Sequence, residues 1–396
     1  MSARRQPRAI AAACVFDGVS LRKDAAVIID GTDVVDVVAR ADLAPDLAVE
    51  DLGGLWLAPG FIDIQVNGGG DVLFNDAPTP QTIRKILAAH RRFGTTALLP
   101  TLISDTAAKM QAALAAVDEL TGMEPAVLGL HLEGPFLSPE KAGVHNPRFF
   151  RRPSSEDLAR IAVPRRTVTL VTLAPEQVGD EFIAKLAAAG VRVALGHSMA
   201  TYAQTVSAMA AGLTGFTHLF NAMRPMTARE GGPIAAALES PAAFYGLIVD
   251  GVHVSPAMLR LALRGAGRPI LVTDAMPPVG GSHSSFMLDG ATIAVREGRC
   301  ARADGTLAGA CLDMASAVRN CVRLAAAPLT AALRYASTHP AEFIGLGHRL
   351  GKLAAGYRAD MVALDAATIE ARRTWVAGAS DEKNAAESKS ALGAAT

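Results

Sequence analysis

The chain has 396 residues, is 50% hydrophobic, and balances 38 basic against 38 acidic side chains. That balance offers no basic face for nucleic acid or an anionic membrane, and no apolar stretch approaches the roughly 20 residues of a membrane helix. The length allows one large domain with an accessory domain, of ordinary soluble α/β composition.

The start, MSARRQPRAIAAACVF, sets arginines before an apolar run, as a secretory signal does. The run from Ala9 to Phe16 is at the short limit for such a signal, and Asp17 ends it without a convincing cleavage site. It reads better as the first strand of an all-β segment, 9–50. There AIAAACVFDG, DAAVIIDG and DVVDVVAR are short, Val/Ile-rich and parted by Gly/Asp turns. The four cysteines, Cys14, Cys300, Cys311 and Cys321, show no C-x-x-C spacing and read as reduced thiols of a cytoplasmic protein.

Eight apolar runs follow: LAPGFIDIQVNG (57–68), TTALLPTL (95–102), VLGLHLEG (127–134), TVTLVTLAPE (167–176), VRVALGHSM (191–199), GFTHLFNAM (215–223), YGLIVDGVHV (245–254) and RPILVTDAM (268–276). Most segments between them are alanine-rich with helical spacing, such as PQTIRKILAAHRRFG (80–94) and PEQVGDEFIAKLAAAG (175–190). Near-continuously apolar strands alternating with helices predict a parallel sheet covered on both faces. Eight such units suggest a closed (β/α)8 TIM-like barrel over 57–349, with a doubly wound open sheet as the alternative. Within it, FMLDGATIAVREGRCARADGTLAG suggests an inserted β-hairpin at about 283–309, and 312–346 is helix-rich. GKLAAGYRADMVALDA and TWVAG return to a β pattern, so residues 1–56 plus 350–380 are expected to form one small β-domain from both chain ends. The polar, Ala/Ser-rich 381–396 reads as a mobile tail.

Barrel enzymes carry their chemistry at the C-terminal ends of the strands. Five of the eight runs end there in ionisable groups: His131 and Glu133, His197, His218, Asp250 and His253, and Asp274. A lone histidine in an apolar strand is usually a hydrogen-bonded core residue, and a lone strand-end aspartate usually caps a helix. Core packing does not explain five at one rim, which implies a metal site or an acid/base cluster. Glu133, His197 and His218 supply two imidazoles and one carboxylate, a set that suits Zn²⁺ with a position open for water, and Asp274 is then free to act as base. The first run carries a further oddity. Strands entered by PGFID often end in His-x-His, and here Gln65 and Asn67 stand in those places.

In this order, the N-terminal β-segment, PGFID, HLEGPF, GHS, THLFNAM, VDGVHV and LVTDAM resemble the amidohydrolase superfamily. More closely they resemble its N-acetylglucosamine-6-phosphate deacetylases, over about residues 9–365. HLEGPF with KAGVHNP, THLFNAM, and TDAMPPVG followed by DGTLAG make the resemblance specific. It implies a distorted (β/α)8 barrel with a small β-sandwich domain formed by both chain ends. The implied reaction is metal-dependent hydrolysis of the acetamide of N-acetyl-D-glucosamine 6-phosphate to D-glucosamine 6-phosphate and acetate, in amino-sugar catabolism and cell-wall recycling. N-acetylgalactosamine 6-phosphate, or another amide, remains an alternative substrate. A non-catalytic sugar-phosphate binder would be expected to have lost Asp274 or a ligand, and none is lost.

Carried over residue by residue, the resemblance puts the metal ligands at Glu133, His197 and His218, the catalytic aspartate at Asp274, and the carbonyl-polarising histidine at His145. Substrate contacts fall on Val144, Asn221, Ala222, Arg229, His253, Leu307, Ala308 and Gly309. Asp274 would act first as base toward water and then as acid toward the leaving amine. One divalent ion per chain is implied, Zn²⁺ first, with Fe²⁺, Co²⁺ or Mn²⁺ able to use the same ligands. Gln65 and Asn67 imply the single-metal branch. The implied partners are a phosphosugar and a second copy in a homodimer, whose partner subunit can contribute to the phosphate site. Neither nucleic acid nor membrane is implied.

Overall fold

The computed structural model describes residues 7–380, and the segment expected as a mobile tail, 381–396, lies outside them. Eight parallel strands form the central sheet: Phe61–Val66, Thr95–Ile103, Gly129–Glu133, Val168–Leu173, Arg192–Leu195, Gly215–Phe216, Phe244–Ile248 and Arg268–Val272. Strands adjacent in sequence are adjacent in space, without the order reversal of a doubly wound sheet. The last strand closes on the first. Asp274 N–H donates to the Gln65 carbonyl at 3.0 Å, and Asn67 N–H to the Ala275 carbonyl at 2.9 Å. The apolar runs follow from closure, because a barrel strand faces side chains inward and helices outward. Every residue of Thr95–Ile103 is buried.

Helices cover the outside, and several begin where a hydroxyl or carboxylate caps them. The side chains of Thr79, Thr106, Thr201, Ser255 and Asp313 each accept from a backbone N–H of the first turn, worth about 1 kcal/mol apiece. Two elements differ from the sequence expectation. The helix read over 175–190 is broken into Pro175–Val178 and Asp180–Ala188, because Gly179 between them takes φ 78°, ψ 159°. The sixth strand pairs only over Gly215–Phe216, since His218, Phe220 and Ala222 all take positive φ and leave the ladder.

After the eighth strand, the segment read as one hairpin forms a four-stranded antiparallel meander instead: Ser285–Leu288, Ala291–Arg296, Arg299–Ala301 and Leu307–Ala310. The turns at 289–290 and 297–298 are two residues long, and a longer connection around Gly305 makes the third reversal. Leu288, Ile293, Cys300 and Ala308 pack this meander onto Leu73, Ile103, Val144 and Met276 at the barrel mouth.

The chain ends meet in one sheet. Its order is Ala379–Ser380, Glu370–Val376, Met361–Asp365, Trp56–Pro59, Arg8–Phe16, Leu21–Asp30 and Asp33–Ala39, with Ala48–Asp51 paired to Arg8–Phe16. Ile10, Val15, Val27, Ile29, Met361 and Trp375 form its own core. Trp56–Pro59 leads through Gly60 directly into the first barrel strand, so the small sheet fixes where that strand begins.

Candidate metal centre and active site

The third, fifth and sixth barrel strands deliver Glu133, His197 and His218 to one point. Glu133 Oε1 lies 3.1 Å from His197 Nε2 and 3.0 Å from His218 Nε2, and the two nitrogens are 3.1 Å apart. All three residues are buried. His197 and His218 reach inward by leaving the extended conformation, at φ 49° and 33°, and Asp274 does the same at φ 50°. Such left-handed backbone costs about 1–3 kcal/mol per residue. Strain at three strand ends around one point is the pattern of a site rather than of a core.

Hydrogen bonds assign the ring nitrogens. His197 Nδ1 donates to the Lys141 carbonyl at 2.7 Å, so a neutral His197 presents a bare lone pair at Nε2. That lone pair faces a second ring nitrogen and a carboxylate oxygen. Burial works to raise the Glu133 pKa, but the neighbouring imidazoles of His197 and His218 outweigh it and hold the carboxyl well below its ordinary range, ionised as a ligand must be. With Nε2 of His218 also unprotonated, as a ligand nitrogen must be, three acceptors converge in a buried place, an arrangement that a cation would hold together. Ligands about 2.0–2.1 Å from a tetrahedral ion stand roughly 3.3 Å apart, close to the separations seen here. The donor set therefore fits a divalent transition metal. Among the described residues it is the group of His, Cys, Asp and Glu close enough to hold one.

His145 stands beside the cluster, its Nε2 4.0 Å from Glu133 Oε1 and its ring 4.4 Å from that of His197. Its Nδ1 lies 2.9 Å from Ser104 Oγ and accepts the Ser104 N–H at 3.4 Å, which leaves the single ring proton on Nε2, facing the site. Burial, then the neighbouring His197, pushes its pKa down to about 3, so the ring is a neutral donor. His131 takes no part at this level. Its Nδ1 lies 3.0 Å from the Ile64 carbonyl and its Nε2 2.7 Å from Thr172 Oγ1.

Asp274 faces the same space from the eighth strand. Asn67 Nδ2 donates to Asp274 Oδ1 at 2.6 Å and Gln65 Nε2 to the same oxygen at 3.2 Å, while Gln65 also reaches both Glu133 oxygens at 3.4 Å. The two amides found where a histidine pair was considered thus act as hydrogen-bond donors between two carboxylates. Burial, then the Glu133 charge, raises the Asp274 pKa to about 6. A cation beside it would lower that value.

These groups line a cavity of about 360 Å³, within the size range of small-molecule sites. Val144, Asn221, Ala222, His253, Leu307 and Gly309 form other parts of its wall. Gly309 has φ 60°, and a Cβ there would meet the Asp274 carbonyl oxygen at 2.7 Å, so the meander can approach this closely only with glycine. Two expected contacts are not brought in. Ala308 is turned into the core of the meander, because neighbours along a strand alternate faces. Arg229 is exposed and outside the cavity wall. Ser104 was missed, since a serine at a strand end carries no sequence signal of its own. Glu140 and Lys141 in the loop before His145 were missed as well.

Comparison with known proteins agrees with this geometry. The family model described as "Amidohydrolase family" matches residues 56–387. An N-acetylgalactosamine-6-phosphate deacetylase of Shewanella sp. strain ANA-3 is 43% identical over 326 residues, 81% of this chain and 82% of that one. An N-acetylglucosamine-6-phosphate deacetylase of Haemophilus influenzae is 35% identical over 352 residues, 88% of this chain and 92% of the relative. The crystal structure of N-acetylglucosamine-6-phosphate deacetylase from Pasteurella multocida superposes with a TM-score of 0.92 at 34% identity, covering 95% of this chain and all of the other. The chain belongs to the metal-dependent amidohydrolase family, and within it to the amino-sugar-6-phosphate deacetylases.

Proposed function

We propose that the chain hydrolyses the acetamide of N-acetyl-D-glucosamine 6-phosphate to D-glucosamine 6-phosphate and acetate, a step of amino-sugar catabolism and cell-wall recycling. The observation that carries this reading is the placement of Asp274 and His145 on the two sides of the Glu133, His197 and His218 cluster, within one small-molecule cavity.

One divalent ion held by Glu133, His197 and His218, Zn²⁺ in the first instance, would supply Lewis acidity toward the acyl oxygen and toward water. The remaining chemistry belongs to the chain. Asp274, with Oδ1 fixed by Asn67 and Gln65, takes the proton of the attacking water and later returns it to the leaving nitrogen. His145 donates its Nε2 proton to the acyl oxygen as negative charge gathers there. Val144, Asn221, Ala222, Leu307 and Gly309 hold the sugar, with Ala308 packed behind the wall, and His253 meets the 6-phosphate. Arg229 is exposed outside this chain's own cavity, and in the homodimer implied by the resemblance it would serve the partner's phosphate. With amides at positions 65 and 67, a second tightly held ion has weak ligands.

No helix among the described residues is long and apolar enough to cross a membrane. The four cysteines are free, which supports a cytoplasmic location. Asp274→Asn tests the mechanism. It is expected to abolish turnover of N-acetylglucosamine 6-phosphate while metal content and Tm hold, and near-normal turnover would refute the assignment. The 43%-identical relative favours N-acetylgalactosamine 6-phosphate as the second reading. Measuring kcat/KM on both epimers decides between them, since a clear preference for the galactosamine compound would reassign the substrate and leave the mechanism intact.

A further inference from the structure

Asp250 follows the seventh barrel strand and lies beneath the cavity wall. Its Oδ1 accepts the backbone N–H groups of Val252 and His253 at 2.8 and 2.9 Å, and its Oδ2 lies 2.7 Å from His253 Nδ1. Burial works to raise the Asp250 pKa, but the bonds from His253 and the two backbone N–H groups outweigh it, so the carboxylate is ionised. An ionised carboxylate only accepts, which makes His253 Nδ1 the donor and turns the opposite nitrogen, Nε2, toward the cavity that His253 lines. Both side chains are about nine-tenths buried, at 8% and 10% exposure, so the pair is shielded from competing water. One carboxylate therefore builds the turn, fixes the ring and selects the nitrogen that meets the ligand.

We propose that Asp250 is a positioning residue for the phosphate end of the substrate, acting through His253. This rests on the deacetylase reading above. With Nδ1 held by Asp250, Nε2 is the ring nitrogen left to meet the phosphate. The carboxylate holds the ring from one side and the phosphate meets it on the other, so hydrogen bonds to charged groups flank His253 at both nitrogens.

The experiment measures kcat/KM of the metal-loaded enzyme on N-acetylglucosamine 6-phosphate and on unphosphorylated N-acetylglucosamine. The variants are Asp250→Ala, Asp250→Asn, His253→Ala and the double Asp250→Ala/His253→Ala. With Asp250→Ala the phosphate preference is expected to shrink by about 10- to 100-fold, the worth of a hydrogen bond to a charged group, while the unphosphorylated sugar is turned over as by wild type. Asp250→Asn keeps an oxygen for the turn, and its loss is expected to be smaller but in the same direction. In the His253→Ala background, removing Asp250 is expected to change the preference no further. An equal loss on both sugars would show that Asp250 only folds the loop, and would overturn the inference. So would a preference unchanged in both single variants, or a further loss in the double variant. A wild-type enzyme that hydrolyses both sugars equally would overturn this inference and leave the deacetylase reading standing, whereas one that hydrolyses neither would sink the N-acetylglucosamine reading on which the inference rests.

Discussion

Replacing Asn67 by leucine removes one hydrogen bond from the catalytic carboxylate at nearly constant volume. Asn67 is fully buried and gives Asp274 Oδ1 a donor at 2.6 Å, while its own Oδ1 has no partner. The lost bond is charge-assisted and worth about 1.5–3 kcal/mol, toward the lower end here because Gln65 still donates at 3.2 Å. Asn67 stabilises only the ionised form, so its removal raises the Asp274 pKa, by about one unit at 1.36 kcal/mol per unit. A base must be ionised to act. The acid limb of kcat/KM is therefore expected to move to higher pH by about one unit, with activity below the limb falling about tenfold and partly recovering above it. The stability effect runs the other way. An unpaired buried carbonyl oxygen, costing about 1–3 kcal/mol, leaves together with the bond. The two contributions nearly cancel, and Tm is expected to stay within a few degrees of wild type. Steady-state kinetics across pH, thermal melts and metal analysis of the same preparation check this. An acid limb that stays in place or moves down, or an equal loss at every pH, would refute the reasoning.

Three further outcomes follow from the geometry. Ser104→Ala removes the hydroxyl 2.9 Å from His145 Nδ1 and loosens control of its tautomer. It is expected to lower kcat by about tenfold with little change in KM, and a shift in KM alone would contradict the role given to His145. Asp63 is fully buried and its pKa is raised to about 7, by burial. Between the unfolded value near 4 and about 7 the folded state holds a proton that the unfolded chain releases, so this contribution to stability declines as pH rises through that window. Asp63→Asn is expected to flatten that part of the profile of unfolding free energy in urea, and an identical slope in both proteins would count against it. His218→Ala or His197→Ala is expected to lose the bound metal, and elemental analysis at unchanged stoichiometry would remove them as ligands.

The barrel was legible because burial on both faces writes continuous apolar runs. Thr95–Ile103 and Phe61–Val66 are buried throughout, and the count of eight such regular units favoured a barrel over a doubly wound sheet. The break at Gly179 was not legible, since glycine in a helical pattern is often tolerated. The short sixth strand was hidden for a related reason. THLF reads as a strand, and only the inward turn of His218 at φ 33° shows that pairing stops before it. At the site, residue types placed Glu133, His197, His218 and Asp274 at one rim. The 3.0–3.1 Å convergence, however, depends on closure of the sheet, which no local pattern encodes. Arg229 marks the other limit. Nothing in the sequence of one chain shows that its side chain stands away from that chain's own cavity.

The sheet built from both chain ends also sets the order of assembly during synthesis. Trp56–Pro59 is held between Arg8–Phe16 on one side and Met361–Asp365 on the other, and Gly60 N–H bonds to the Asp360 carbonyl at 2.9 Å. The strand that follows carries Gln65 and Asn67, the donors that fix Asp274. A ribosome makes the first flank early and the second about 345 residues later. Until residue 365 has emerged, Trp56–Pro59, which leads into the first barrel strand, lacks one of its two flanks. The small sheet is therefore completed only after every strand of the barrel has been made.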